Sequence, residues 1–109
     1  MNPTLQKTIT RTFLTLLTDL KNEKQLETFL MDFWSEKEFE TYTKRLAIAY
    51  WLKKGRDAKN IQENLGVLPN EIKEIEKKLS SPGIKLALKY LEAEEWANQW
   101  AEKIKRFTK

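Results

Sequence analysis

The 109-residue sequence contains no cysteine and no histidine. Without cysteine the chain can form no disulfide and use no thiolate, and without histidine it lacks the commonest general base and the commonest metal ligand. We therefore expect no catalytic residues, no metal site and no cofactor, and we predict that the protein is not an enzyme. Carboxylate pairs such as Glu94 and Glu95 are the remaining acid–base candidates, but their positions are typical of a solvated helix surface.

Long apolar runs are also missing from the sequence. The longest apolar stretch, residues 46–52, is interrupted by Tyr50 and followed by Lys53, which makes it far shorter than the roughly 20 residues of a spanning helix. The first residues carry charges among threonines, and no small-residue cleavage site follows them. We therefore predict no membrane association and a cytoplasmic location.

Glycine and proline are scarce, with three of each, and between them the apolar residues recur at intervals of three and four. This pattern predicts an all-α protein of about six helices in a single domain, residues 1–109. The predicted helices cover residues 4–20, 23–34, 35–54, 57–65, 69–79 and 83–107. In the third of them, the side chains predicted to face inward are Phe39, Tyr42, Leu46, Ala49 and Leu52.

Residues that favour helix ends lie at the predicted boundaries. They are Asn22 and Asp57 as N-caps, Ser35 with Glu38 as a capping box, Gly55 as a left-handed C-cap, and Pro69 at a first helical position. The predicted boundaries therefore follow from local chemistry as well as from periodicity.

Four tryptophans are many for so short a chain, because each needs a large apolar contact surface that a small monomer hardly provides. In the last predicted helix an apolar stripe recurs at intervals of three and four, and it consists of Trp96, Trp100, Ile104 and Phe107. Such a stripe predicts core or dimer contacts and not a ligand pocket.

Residues 57–79 form two short predicted helices joined at Gly66, after a longer helix. This arrangement predicts a helix-turn-helix, in which the second helix enters the major groove of DNA. Helical projection places Asn70, Lys73, Glu74 and Lys77 opposite the apolar stripe of Ile72, Ile75 and Leu79. Asparagine can pair with adenine, lysine can donate to guanine, and glutamate can accept from cytosine. The exposed set is therefore chemically able to contact bases.

A series of short motifs covers residues 16–79, which is more than half of the chain. The motifs are Leu16-Leu17-Thr18-Asp19-Leu20, Trp34-Ser35-Glu36-Lys37-Glu38, Lys44-Arg45-Leu46-Ala47-Ile48-Ala49, Leu52-Lys53-Lys54-Gly55 and Asn64-Leu65-Gly66-Val67, together with Ile61, Ile72 and Leu79. In this order and without gaps they resemble the Trp-repressor superfamily. The similarity is greatest to its short Trp-repressor-like regulators of the YerC/YecD type.

This resemblance implies an intertwined homodimer in which the N-terminal helices of the two chains cross. It also implies a sequence-specific transcriptional regulator that binds double-stranded DNA, with residues 57–65 as the supporting helix and 69–79 as the recognition helix. In the tryptophan-repressor branch two arginines hold the corepressor. Arg45 matches the first, but Glu74 stands at the second and would repel the carboxylate of an amino acid. We therefore expect no tryptophan-type corepressor.

The chain departs from the family pattern in the recognition helix. That helix opens with Leu68-Pro69-Asn70-Glu71, where the family has Ser-Thr-type residues that cap the helix and contact phosphates. The segment from Gly55 to Leu79 is also electrically neutral, since Arg56, Lys59, Lys73, Lys77 and Lys78 balance Asp57, Glu63, Glu71, Glu74 and Glu76. Phosphate attraction supplies nearly all non-specific DNA affinity, so further cations must come from elsewhere. The candidates are Lys44, Arg45, Lys53 and Lys54, and the tail residues Lys103, Lys105, Arg106 and Lys109.

Two functional interpretations follow from the sequence. The first is a homodimeric DNA-binding regulator whose contact residues are Asn70, Lys73, Glu74, Lys77, Lys78, Arg56, Lys59, Lys53, Lys54, Lys44 and Arg45. The alternative is a degenerate Trp-repressor-like fold that serves protein–protein interaction or nucleoprotein assembly without contacting bases. The neutral charge of the helix-turn-helix favours this alternative.

Overall fold

The computed structural model describes the backbone of residues 1–107 and the side chains of residues 1–95 and 98. The predicted stripe of Trp96, Trp100, Ile104 and Phe107 and the predicted tail cations lie outside the described side chains. The described backbone forms six α-helices and no strand, which confirms the all-α prediction. The helices are α1 (Pro3–Asp19), α2 (Glu23–Phe33), α3 (Glu36–Lys53), α4 (Ala58–Leu65), α5 (Pro69–Lys78) and α6 (Pro82–Phe107).

The helix starts are fixed by the predicted capping residues. The Oδ1 atom of Asn22 accepts a hydrogen bond from the backbone N–H of Gln25 at 2.8 Å, and that of Asp57 accepts one from the N–H of Asn60 at 2.8 Å. At the start of α3 the predicted capping box is present: the Ser35 N–H donates to Glu38 Oε1 at 2.9 Å, and the Glu38 N–H donates to Ser35 Oγ at 3.1 Å. These bonds satisfy backbone donors that have no partner within the helix.

Two glycines end helices in the left-handed conformation. Gly55 follows α3 with φ of 89°, and Gly66 ends α4 with φ of 65°. The N–H of Gly66 donates to the carbonyl of Gln62 at 2.9 Å. Residues with a Cβ rarely adopt this conformation, so Gly66 allows α4 to stop sharply before Val67 leads into α5.

The chain divides into two compact units, Met1–Thr41 and Tyr42–Lys109. The second unit contains the buried core, to which α3, α4, α5 and α6 all contribute. Its members are Ile48, Ala49, Ile61, Val67, Ile72, Ile75 and Leu88. Helices α4 and α5 contact each other, and among the described side chains no polar or charged one is buried. The core that positions α5 is therefore purely apolar.

The first unit has no such core. None of residues 1–41, all of which the structure describes, is buried. Helices α1 and α2 meet through a cluster of rings, in which the centroids of Phe13 and Phe33 lie 5.7 Å apart and those of Phe29 and Phe33 lie 5.0 Å apart. Seven large apolar side chains of this unit remain exposed. Phe33 of the ring cluster is one of them, and the others are Met1, Leu5, Ile9, Leu14, Leu16 and Met31. Much of the apolar surface of this unit therefore remains exposed within one chain.

The prediction for the inward face of α3 is wrong for Tyr42 and Leu46, which are 40% and 42% exposed. Ala49 is buried as predicted, and Phe39 and Leu52 are half-buried. The most deeply buried large side chain of α3 is Ile48, because α3 meets the second-unit core along the side that carries Ile48 and Ala49. In the described part of the chain, no helix combines the length and the apolar character that crossing a membrane requires.

Candidate nucleic-acid interface

Helix α5 has a buried side and an exposed side. Ile72 and Ile75 lie in the core and hold α5 against the other helices of the second unit. On the opposite side Asn70, Lys73, Glu74 and Lys77 are all exposed, as is Lys78 in the last turn. The structure therefore places the predicted base-contacting residues together on the exposed side of α5.

The N-terminus of α5 has an unusual cap. Leu68 occupies the N-cap position, and leucine has no side-chain acceptor for the first helical N–H groups. Glu71 provides the other half of a capping box, since its Oε2 atom accepts a hydrogen bond from the Leu68 N–H at 2.7 Å. Leu68 itself is 63% exposed. The signal for this bond in the sequence is a glutamate three positions after the N-cap residue.

The N-terminus of α4 carries an ordered cation. The Arg56 guanidinium carbon lies 4.1 Å from the centroid of the Trp51 ring, and its Nη1 atom donates to Asn60 Oδ1 at 3.3 Å. Cation–π contact and the hydrogen bond hold the guanidinium beside the start of α4 without neutralising its charge. Lys59, in the first turn of the same helix, is exposed.

The C-terminus of α3 carries two lysines in different situations. Lys53 is exposed, whereas Lys54 Nζ lies 2.7 Å from Oε2 of Glu95 on α6. The Tyr50 hydroxyl donates a hydrogen bond to the same carboxylate. Glu95 therefore offsets the charge of Lys54, so Lys54 offers less attraction to a phosphate than Lys53 does.

The Lys54, Tyr50 and Glu95 cluster also changes the proton affinities of its members. Hydrogen bonds from Lys54 and then from Tyr50 lower the pKa of the Glu95 carboxyl group. The same contacts raise the pKa of Lys54 and that of Tyr50, in both cases mainly through the hydrogen bond to Glu95. Glu95 lies far from Lys54 and Tyr50 in sequence, so neither partner could be predicted from local sequence.

Lys44 and Arg45 lie in the middle of α3. The Arg45 guanidinium is 5.8 Å from the centroid of the Tyr42 ring, and Lys44 is half-buried. Lys53 follows Arg45 by eight positions along the helix, which is a rise of about 12 Å along the axis. The predicted cations of α3 therefore form two groups, and only Lys53 and Lys54 lie beside the turn that leads into α4.

The charges of α5 are ordered along its axis. Glu71 lies in the first turn, and Lys77 and Lys78 lie in the last turn. This order complements the helix dipole and stabilises the helix, but it gives α5 no net positive charge. In the described part of the chain, no three acidic side chains are grouped so that they could hold a metal ion.

No protein-family model, no curated protein and no solved structure matches this chain. The site is therefore characterised by its own geometry: an exposed polar side of α5, a buried side that anchors it, and exposed cations at the end of α3 and the start of α4.

Proposed function

We propose that the protein is a homodimeric, sequence-specific DNA-binding transcriptional regulator, in which α4 and α5 form a helix-turn-helix. One observation carries this proposal: α5 buries Ile72 and Ile75 and exposes Asn70, Lys73 and Lys77, directly after the left-handed turn at Gly66. A recognition helix needs this division between an anchored side and a free polar side, because the free side must enter the major groove.

The exposed side of α5 has the length and chemistry for a short DNA site. From Asn70 to Lys77 the helix rises about 10 Å, which corresponds to roughly three base pairs along the duplex axis. Asn70 lies near the N-terminus, from which recognition helices contact base edges, and asparagine pairs best with adenine. Lys73 and Glu74 follow one turn later and suit guanine and cytosine respectively.

Phosphate contacts would come from the cations that precede α5. Lys53, Arg56 and Lys59 are exposed around the start of α4. If each contacts one phosphate, a dimer neutralises about six, which gives a slope of about −5 in a plot of log affinity against log salt concentration. Because α5 is neutral, these residues and not the recognition helix would supply the electrostatic attraction.

The first unit supports self-association. A unit of about 40 residues seldom folds alone without a cross-link, a metal or a partner, and this one buries no side chain. Its apolar groove of about 780 Å³ is lined partly by Leu20, Phe29 and Phe33. A second copy of the chain would cover this surface, and the resemblance to an intertwined dimer favours that occupant over any other.

DNA binding is tested by fluorescence anisotropy with labelled duplexes over a salt series. We expect the steep salt dependence given above, and Lys53→Ala should reduce the slope by about 1 for each phosphate contact that is lost, whatever the sequence. Lys21→Ala, in the exposed connection between α1 and α2, is the matched control and should leave the slope unchanged. Absence of binding at low salt would overturn the proposal.

Base contact and assembly need separate measurements. Asn70→Ala should change the preference among duplexes, and identical preferences for this variant and the unmodified protein would remove Asn70 from the site. One chain has a mass of 13.0 kDa, and sedimentation equilibrium at micromolar concentration should give twice that mass. A stable monomer would contradict the dimer.

The charge balance of α5 favours a second candidate function, in which the exposed side of α5 binds a protein. Glu74 and Glu76 are both exposed and offset Lys73 and Lys77. A dimeric protein that binds no duplex even at low salt would support this candidate, because dimerisation would then be separated from DNA binding.

A further inference from the structure

Leu68 lies at a position where leucine is unfavourable for two reasons, its exposure to solvent and the preference of helix N-caps for polar side chains. It is the N-cap residue of α5, a position that favours Ser, Thr, Asp or Asn, and its side chain is 63% exposed. A residue that breaks a local rule at an exposed position is a candidate for a role outside the protein's own fold.

The fold does not need the Leu68 side chain. The apolar pair that fixes the entry of a chain into a helix joins the residue before the N-cap to the fourth helical residue. Here these residues are Val67 and Ile72, and both belong to the buried core. Glu71 accepts the bond from the Leu68 backbone, so that side chain has neither a capping role nor a place in the core.

Leu68 is also the sole exposed large hydrophobic residue among residues 57–79, all of which the structure describes. The residues on either side of it in sequence include the exposed polar Asn64 and Asn70. A protein partner normally buries about 800 Å² on each side of an interface. One leucine among polar side chains offers far less apolar area, so it suits a single small apolar group better than a second protein.

We propose that Leu68 contacts the 5-methyl group of a thymine in the major groove and thereby determines part of the sequence specificity. This inference rests on the proposed DNA-binding function. Thymine presents the one apolar group on the base edges of the major groove, and apolar side chains recognise it. Leu68 lies at the end of α5 from which recognition helices contact bases, two residues before Asn70.

The test removes the methyl group from the DNA. Duplexes enriched by the full-length protein from a random-sequence library are resynthesised with each thymine replaced in turn by deoxyuridine. One thymine in each half-site should be sensitive, and its replacement should weaken binding about fourfold, as expected for one buried methyl group. Replacement in both half-sites should weaken binding about fifteenfold, because the two contacts are separate. Leu68→Ala should bind the thymine and deoxyuridine duplexes equally.

Two further variants guard against loss of folding. Leu68→Asn supplies a better N-cap, so it should fold at least as well as the unmodified protein and still lose the sensitivity to deoxyuridine. Leu86→Ala removes a leucine of similar exposure, 56%, on α6 and should keep that sensitivity.

The possible failures are distinguishable. If Leu68→Ala discriminates thymine from deoxyuridine as the unmodified protein does, the thymine contact is wrong although DNA binding stands. If the protein binds DNA but enriches no sequence, the contact is also wrong. If Leu68→Ala instead lowers the mass in solution, Leu68 faces a second copy and the inference fails. Absence of binding to any duplex at low salt overturns the proposed function itself.

Discussion

Replacing Ile72 by alanine tests whether the core anchors the exposed side of α5. The Ile72 side chain is 1% exposed and packs among residues from all four helices of the second unit. The substitution removes three carbon atoms from a site that solvent does not reach, and it leaves every exposed residue of α5 in place. Any effect on folding therefore reports on the anchor and not on the exposed surface.

The expected loss is about 3 kcal/mol. Truncating a buried isoleucine to alanine costs about 2–5 kcal/mol, and the cost is smaller where neighbours can move into the space. Helix α5 has only 10 residues and can shift toward the core, which favours the lower part of that range. The free energy of unfolding of a protein of this size is about 5–15 kcal/mol, so the substitution should remove about a fifth to three fifths of it.

Urea unfolding followed by circular dichroism measures this loss. All variants must be compared at one protein concentration, because a dimer's stability depends on concentration. Ile72→Val should lose about 1 kcal/mol, and Leu86→Ala, at an exposed position of α6, should stay within about 0.5 kcal/mol of the unmodified protein. If Ile72→Ala also stays within that limit, Ile72 does not anchor α5 and the division of this helix into two sides is wrong.

Three further substitutions test other parts of the structure. Asp57→Ala removes the N-cap of α4 and should cost about 1 kcal/mol in the same urea assay, whereas Glu63→Ala, at an exposed position inside the same helix, should cost less. Gly66→Ala should cost about 1–2 kcal/mol. The cost comes from the left-handed backbone alone, because an added Cβ meets no atom within 4 Å. The control is Gly83→Ala, which has the same open space but lies inside α6 and should not destabilise the protein. The pKa of Glu95 is lower in the folded protein, so its stabilising effect is present above the ordinary carboxyl pKa and is lost as the pH falls through the folded pKa. Glu95→Ala should therefore lose less stability than the unmodified protein between pH 6 and pH 3, and equal losses would show that the cluster does not contribute.

The helix boundaries could be predicted from sequence because local chemistry determines them. Asn22, Asp57 and the pair of Ser35 and Glu38 each bond to backbone groups within three residues, so no knowledge of the tertiary fold is needed. The exposed side of α5 was predictable for a similar reason, since the helical period alone separates Asn70 and Lys73 from Ile72.

Features that depend on distant contacts could not be predicted in this way. Glu95 reaches Lys54 only because α6 brings it beside the end of α3, and nothing in either local sequence indicates that pairing. The burial of Ile48 in place of Leu46 also depends on which helices pack against α3. Periodicity shows that a helix has an apolar side, but it does not show which residues of that side pack against the neighbouring helices.

The neutral charge of α5 affects how much of the proposed DNA affinity would come from attraction to phosphates and how much from contacts to bases. Attraction to phosphates is the same for every sequence, so cations on a recognition helix strengthen binding to all competing sites. With charge balance on α5, the proposed contacts by Asn70 and Leu68 would add affinity only where the bases match them, while the exposed Lys53 and Lys59 would supply the general attraction. The useful quantity for a regulator is the ratio of specific to non-specific affinity. A neutral recognition helix would therefore lower the affinity for random DNA more than it lowers discrimination, which is consistent with a specific regulator.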